Sequence, residues 1–232
     1  MKIQEILDYA EQRNFQIDST MQQRFNDYMN LLIEWNEKMN LTAITDPEEI
    51  MEKHFLDCLL PVFSQKIKGK VIDVGSGAGF PGLVFAISLP NIEITLLEPT
   101  GKRCQFLEEV VKKLGLTNVE IVNERAEDYG KINREIFDIS TARAVAPLNI
   151  LSELCIPLVK KEGIFLSLKG TSWKEEYEQA KDGLHLLGCG EPEIQEEELP
   201  NENKRVMLYF PKESNTPKKY PRHYSQIKKK PL

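Results

Sequence analysis

Val71-Ile72-Asp73-Val74-Gly75-Ser76-Gly77-Ala78-Gly79-Phe80-Pro81-Gly82 is the stretch on which the reading of the chain turns. A strand-type run carrying Asp73 passes directly into a glycine-rich turn, and an amphipathic segment follows over about residues 83–89. This is the layout of a first βα unit whose turn lets backbone come close to a ligand. Glycine suits such a turn because it tolerates φ > 0 and has no Cβ to block the approach. The glycine spacing narrows the ligand. In a dinucleotide fingerprint, G-x-G-x-x-G, the third glycine would fall on residue 80, and residue 80 is phenylalanine. The pattern is G-x-G-x-G, with Asp73 two residues before the first glycine.

Length and composition bound what surrounds that turn. A chain of 232 residues suits one α/β domain with additions and allows a sizeable core. Its apolar share of 41% is that of a soluble globular protein, and no run of about 18 apolar residues is present to span a membrane. Met1-Lys2-Ile3-Gln4-Glu5 lacks the charged-then-apolar layout of a secretory signal. Cys58, Cys104, Cys155 and Cys189 are scattered without a C-x-x-C pair. Neither a zinc site nor a disulfide framework is therefore expected, and the cytoplasm is the expected compartment. Three histidines, His54, His185 and His223, make a histidine-rich metal site equally unexpected.

The net charge of −6 argues weakly against a nucleic-acid partner, but its distribution is uneven. Acid collects at Glu191, Glu193, Glu196, Glu197, Glu198 and Glu202, and base collects in the C-terminal tail at Lys212, Lys218, Lys219, Arg222, Lys228, Lys229 and Lys230. The basic tail, residues 213–232, is expected to be a solvated, disordered end, with RNA phosphate binding as the competing reading.

Along the chain, residues 1–65 read as a helical cap packed on a catalytic domain. Phe25, Tyr28, Leu31, Leu32, Trp35 and Met39 recur at three and four residues, which makes one apolar stripe. Ser19 or Thr20 is the expected cap of that helix, and Pro47 is expected in the first turn of another. From 66 to 212 strand and helix signals alternate, the pattern of a parallel sheet with helices on both faces. Strands are expected at 70–74, 92–98, 119–123, 136–142 and 162–168, with helices near 101–114, 147–160 and 172–186. Gly163 is read as a helix C-cap. Two last strands, about 189–196 and 204–210, close the sheet as an antiparallel pair. The whole is a Rossmann-like α/β fold with a seven-stranded, mostly parallel sheet.

The 73–82 stretch resembles motif I of class I S-adenosylmethionine-dependent methyltransferases, which assigns Asp73, Gly75, Gly77 and Gly79 to the cofactor. Glu98 ends the second strand, where the carboxyl edge of a doubly wound sheet lines the ligand crevice, and a carboxylate there can accept both ribose hydroxyls. Ala126-Glu127-Asp128 follows the third strand. In methyltransferases such a loop holds the adenine through a backbone amide and a carboxylate, and either Glu127 or Asp128 can serve. After the fourth strand comes Ser140-Thr141-Ala142-Arg143-Ala144-Val145-Ala146-Pro147. It lacks the N/D-P-P-Y/F box of adenine amino-methylating enzymes, and no strand-end cysteine offers the thiolate that cytosine C5 chemistry needs. No general base stands out. An acceptor with its own free lone pair, such as purine N7, needs none. Arg143 either reads a base or phosphate, sits on the cofactor, or pairs with a nearby carboxylate and shapes the loop.

Seven blocks in order extend the resemblance. They are Trp35-Asn36-Glu37-Lys38-Met39-Asn40-Leu41-Thr42-Ala43-Ile44, His54-Phe55-Leu56-Asp57, the 73–82 stretch, Gly101-Lys102-Arg103, Arg125-Ala126-Glu127, Thr141-Ala142-Arg143-Ala144-Val145-Ala146 and Leu168-Lys169-Gly170. Together they resemble the small-subunit ribosomal RNA methyltransferase G family, also called glucose-inhibited division protein B, over about residues 20–210. The resemblance implies methylation of guanine N7 in the decoding-region loop of 16S ribosomal RNA, alone or in the small subunit, with S-adenosyl-L-methionine as donor. It implies cofactor contacts at Gly75, Phe80, Ala126, Glu127 and Arg143, and RNA contacts at Asn40, Arg103, Arg125 and Lys169. Arg143 and Lys169 are the candidates for positioning the reaction. Glu98-Pro99 stands where many members have Asp and a small residue, and Cys58 stands where serine is common. No metal, no membrane and a monomer are expected. The competing functions are a class I methyltransferase acting on a protein or small molecule, and a non-enzymatic ribosome-associated RNA-binding protein.

Overall fold

The computed structural model describes residues 1–200 and 203–232; Glu202 of the acidic cluster lies outside them. Seven strands form one sheet in the order β3-β2-β1-β4-β5-β7-β6. β1 (Lys70–Val74), β2 (Glu93–Leu97), β3 (Val119–Val122), β4 (Phe137–Arg143) and β5 (Val159–Lys169) run parallel. β6 (Glu193–Glu198) and β7 (Lys204–Pro211) close the edge in antiparallel fashion, β7 against β5 and β6 against β7. The expected Rossmann-like sheet is present. The strand order reverses between β1 and β4, so the crevice at their carboxyl ends is where such a sheet binds ligands.

Two hydrophobic clusters occupy the two faces of the sheet. One unites β1 and β2 with α1 (Ile3–Glu11), α2 (Ser19–Met39), α4 (Asp57–Phe63), α5 (Gly82–Ser88) and α6 (Gly101–Leu114). Phe25, Tyr28 and Leu32 of the predicted stripe are buried in it. The other cluster packs α8 (Leu148–Cys155) and α9 (Trp173–Leu186) on the opposite face. The N-terminal helices thus share a core with the sheet.

Several local expectations need correcting. Asp18, not Ser19 or Thr20, caps α2, accepting from the Met21 amide at 2.8 Å. Pro47 does open α3 (Pro47–Ile50), with Asp46 as its cap. A π-helical stretch, Met51–Leu56, then joins α3 to α4. The loop after β3 is a helix, α7 (Ala126–Ile132). The predicted helix over 147–160 overruns: α8 stops at Cys155, a 3₁₀ turn spans Ile156–Leu158, and β5 begins at Val159. Pro157 breaks the period that Ile156 and Leu158 prolong. Gly163 is therefore a strand residue, where a Cβ would stand 2.6 Å from the Asp138 carbonyl.

The basic tail is not a solvated end. α10 (Tyr224–Lys229) buries Ile227, and Thr216 and Tyr220 are buried before it. Arg134 donates to the Thr216 carbonyl at 2.9 Å and to the Tyr220 carbonyl. Arg222 grips Glu153, a fully buried carboxylate on α8, through its side chain at 2.5–3.1 Å and its amide at 2.7 Å.

Candidate cofactor and acceptor cavities

The glycine turn is tied at both ends. The Gly75 amide donates to the Leu97 carbonyl at 2.7 Å, which seats the turn against β2. Gly75, Gly77 and Gly79 take φ of +70°, +58° and +95°, a region that side chains resist. Asp73 lies beneath the turn, fully buried, with Oδ2 accepting from the Gly82 amide at 2.9 Å. Burial raises its pKa to about 7, against the pull of that bond and of Arg143. From the cap, the Tyr28 hydroxyl donates to the Ala78 carbonyl. Asp73 and Gly79 thus build the turn from below, while Gly75, Gly77 and Phe80 line a cavity of about 370 Å³ above it.

Glu98 and Arg103 line the same cavity. Glu98 is 1% exposed and accepts from the Gly77 and Thr100 amides, both at 2.9 Å, so its carboxylate is held at the turn. The Arg103 guanidinium stands 3.8 Å from it.

A smaller cavity of about 200 Å³ continues past Gly75. Leu97, Pro99, Arg125, Ala126, Glu127 and Tyr224 line it. Glu127 is 3% exposed and its carboxylate accepts no hydrogen bond from the described residues. Asp128 points to solvent and pairs with Lys131 at 2.9 Å. Glu127 is therefore the carboxylate at this cavity.

The third cavity, about 570 Å³, opens at the end of β4 and shares His54, Arg143, Ala144 and Val145 with the first. Arg143 donates to the Lys53 carbonyl and to Asp57 Oδ2, both at 3.0 Å, and to His54 Nδ1 at 2.8 Å. Arg205 takes the other oxygen of Asp57 at 2.9 Å. A guanidinium only donates, so Nδ1 of His54 is the acceptor and Nε2 carries the hydrogen toward Thr42 Oγ1, 2.9 Å away. Burial, then the Arg143 charge, lowers the His54 pKa to about 3, and the ring is neutral. Phe80 underlies this group: its ring stacks on His54 at 4.6 Å and lies 5.1 Å from the Arg143 guanidinium. Lys169 lines the far wall, bonded to Glu176 at 2.7 Å and to the Ala146 carbonyl at 3.3 Å.

Arg143 is thus both a cavity residue and the partner of a carboxylate. Asn40 is not brought to these cavities. It is the left-handed cap of α2, at φ +51°, and lines a separate hollow with Asn36 and Glu37. Arg205 and Tyr224 are site residues that no motif or spacing singled out, whereas Asp57 and Thr42 stood in quoted blocks without a role assigned to either. Asp57 meets Arg143 across 86 residues of chain, and only the fold makes them neighbours.

A family model described as rRNA small subunit methyltransferase G matches residues 21–204. The chain is 42% identical to Ribosomal RNA small subunit methyltransferase G of Staphylococcus aureus (strain Newman) over 238 residues, covering 100% of this chain and 99% of that protein. The protein of the same name from Staphylococcus epidermidis is 42% identical over 236 residues, with the same coverage. In fold, the chain is similar to a mutant of the 16S rRNA (adenine(1408)-N(1))-methyltransferase of Catenulisporales acidiphilia, of which a structure with its cosubstrate SAM is also similar. The TM-score to the former is 0.51 at 17% identity, over 66% of this chain and 87% of that one.

Proposed function

Since the chain belongs to the rRNA small subunit methyltransferase G family, we propose that it methylates N7 of a guanine in the decoding-region loop of 16S ribosomal RNA. It is a ribosomal RNA methyltransferase, and S-adenosyl-L-methionine is its cofactor. The residues at the crevice fit that cofactor. Gly77 faces open space, with nothing but the Gly75 carbonyl, 3.8 Å away, near where a Cβ would stand. Glu98 offers a fixed carboxylate for ribose hydroxyls, and Glu127 offers an unpartnered one for the exocyclic amine of adenine. When bound, the cofactor supplies a methyl group on a sulfonium centre.

One observation carries the choice of acceptor: among the described residues, the 570 Å³ cavity has no free base. His54 is neutral, but both its nitrogens are engaged. Asp57 is claimed by two guanidiniums, and Glu176 by Lys169 and the Leu148 amide at 2.9 Å. None of the four cysteines lines it, and all are buried. Such a site suits an acceptor with its own lone pair and no proton to lose, as guanine N7 is. The chain then contributes position and charge complementarity rather than proton transfer. Arg143 and Lys169 supply cations for RNA phosphates or the cofactor's carboxylate, and Arg103 and Arg125 flank the entrance. Asn40 acts at most by shaping the 40–46 loop.

Ribosomal RNA as substrate supports the cytoplasm, and no helix among the described residues is long and apolar enough to cross a membrane. The test is to incubate the enzyme with methyl-labelled cofactor and small subunits, naked 16S RNA or cell protein. Label in RNA, released as 7-methylguanosine on nucleoside analysis, is expected. Label confined to protein or small molecules would refute the proposal.

A further inference from the structure

The C-terminal tail reaches the cofactor crevice. Tyr224, the first residue of α10, lines the 200 Å³ cavity together with Ala126 and Glu127. Its placement is built in. Two residues earlier, Arg222 is locked to the buried Glu153, and the next residue of α8, Leu154, lines the same cavity. Three residues later, Ile227 is fully buried. Pro221 packs against Gly130 of α7, the helix whose first turn carries Ala126 and Glu127. The tail and the adenine loop are therefore held to one another and not merely adjacent.

A cavity of this size is smaller than the roughly 300–1,000 Å³ of whole-ligand pockets, so it suits one part of the cofactor. Its walls are Val74, Leu97, Pro99, Val145 and Leu154, with one carboxylate, one aromatic ring and the Arg125 side chain, a largely apolar composition that receives a flat base with few polar edges. Tyr224 is half-buried, and its hydroxyl makes no hydrogen bond to the described protein. Its ring packs on the edge of the second hydrophobic cluster and also lines the cavity.

We propose that Tyr224 is the aromatic wall of the adenine subsite, so that the basic tail serves the cofactor rather than acting as an RNA arm. This rests on the reading that adenine lies beside Ala126 and Glu127. The test is calorimetric titration of the full-length protein with S-adenosylhomocysteine and with adenosine, in wild type, Tyr224→Ala, Tyr224→Leu, Tyr224→Phe and Glu127→Ala, with melting temperatures measured alongside. Removing a stacking ring should weaken both ligands by the same factor, about tenfold for Tyr224→Ala and about threefold for Tyr224→Leu, while Tyr224→Phe stays within about twofold. The melting temperature of Tyr224→Leu should match wild type, and that variant carries the test if Tyr224→Ala does not fold. Unchanged affinities in the Tyr224 variants with a loss in Glu127→Ala would overturn the role of the tail and leave the adenine placement standing. Unchanged affinities in all of them would remove both.

Discussion

Asp57 is the residue on which the acceptor side depends, because each of its oxygens holds a different guanidinium. Removing one partner of a buried ion pair costs about 3 kcal/mol or more, since the remaining charge stays desolvated. Because Arg205 still holds Asp57, Arg143→Ala should lower unfolding free energy by less than that, about 2 kcal/mol. RNA methylation should fall by about a hundredfold or more, the scale of a lost positioning contact. Urea unfolding and a methyl-transfer assay check it, and no change in either would remove Arg143 from the site. His54 and Asp73 make opposite contributions to pH dependence. His54 titrates near 6.5 when unfolded and at about 3 in the folded protein, so the unfolded state binds the extra proton between those values. The stability this histidine contributes is complete above pH 6.5 and lost as pH falls toward 3. Asp73 is raised from 3.8 to about 7, so its contribution is complete below pH 3.8 and lost as pH rises through 7. His54→Gln should thus gain less stability than wild type on going from pH 4 to 7, and Asp73→Asn should gain more, each by about 3 kcal/mol. Denaturant titrations at the two pH values measure this; parallel profiles for all three proteins would contradict it.

At the scale of elements, the β1–α5 turn uses its glycines for different reasons. A Cβ on Gly82 would collide with the Leu96 side chain and stand 2.8 Å from Asp73 Oδ2. Gly82→Ala should cost about 3 kcal/mol by overpacking and weaken cofactor binding, because the amide that Asp73 holds must move. Gly77 has open space around it, so Gly77→Ala should cost only the φ penalty, about 1 kcal/mol. Chemical denaturation and cofactor titration of the pair distinguish the two; equal losses would show that crowding is not what separates them. The turn itself was legible in the sequence, because a strand, a carboxylate and a glycine run are contiguous. The acceptor side was less so: Arg143 was visible as a candidate, but its partners Lys53, His54, Asp57 and Arg205 come from the cap and from β7. The π-helical stretch that brings Lys53 and His54 there leaves no periodic signal over six residues.

For the whole molecule, the alternation of strand and helix periods was enough to give the sheet, because each period repeats within its own segment. The tail's fold does not show in the sequence because its anchors are distant along the chain. Glu153 and Glu135 receive Arg222 and the Thr216 amide, and a run of lysines reads as solvated unless those partners are known. Arg222→Ala leaves the fully buried Glu153 carboxylate with only a backbone amide, so a loss of about 3 kcal/mol and early proteolysis of the tail are expected. Thermal unfolding and limited digestion check this, and wild-type behaviour would show that the tail is held by its apolar residues alone. With cap, sheet and tail all meeting at the β1–β4 switch point, the central claim is that these cavities deliver a methyl group to guanine N7. Its most direct test is chemical cleavage at 7-methylguanine in 16S RNA from cells lacking the gene, complemented with wild type or with Arg143→Ala. The expected result is one cleavage product restored by wild type and absent with Arg143→Ala; a cleavage pattern identical with and without the gene would contradict the claim.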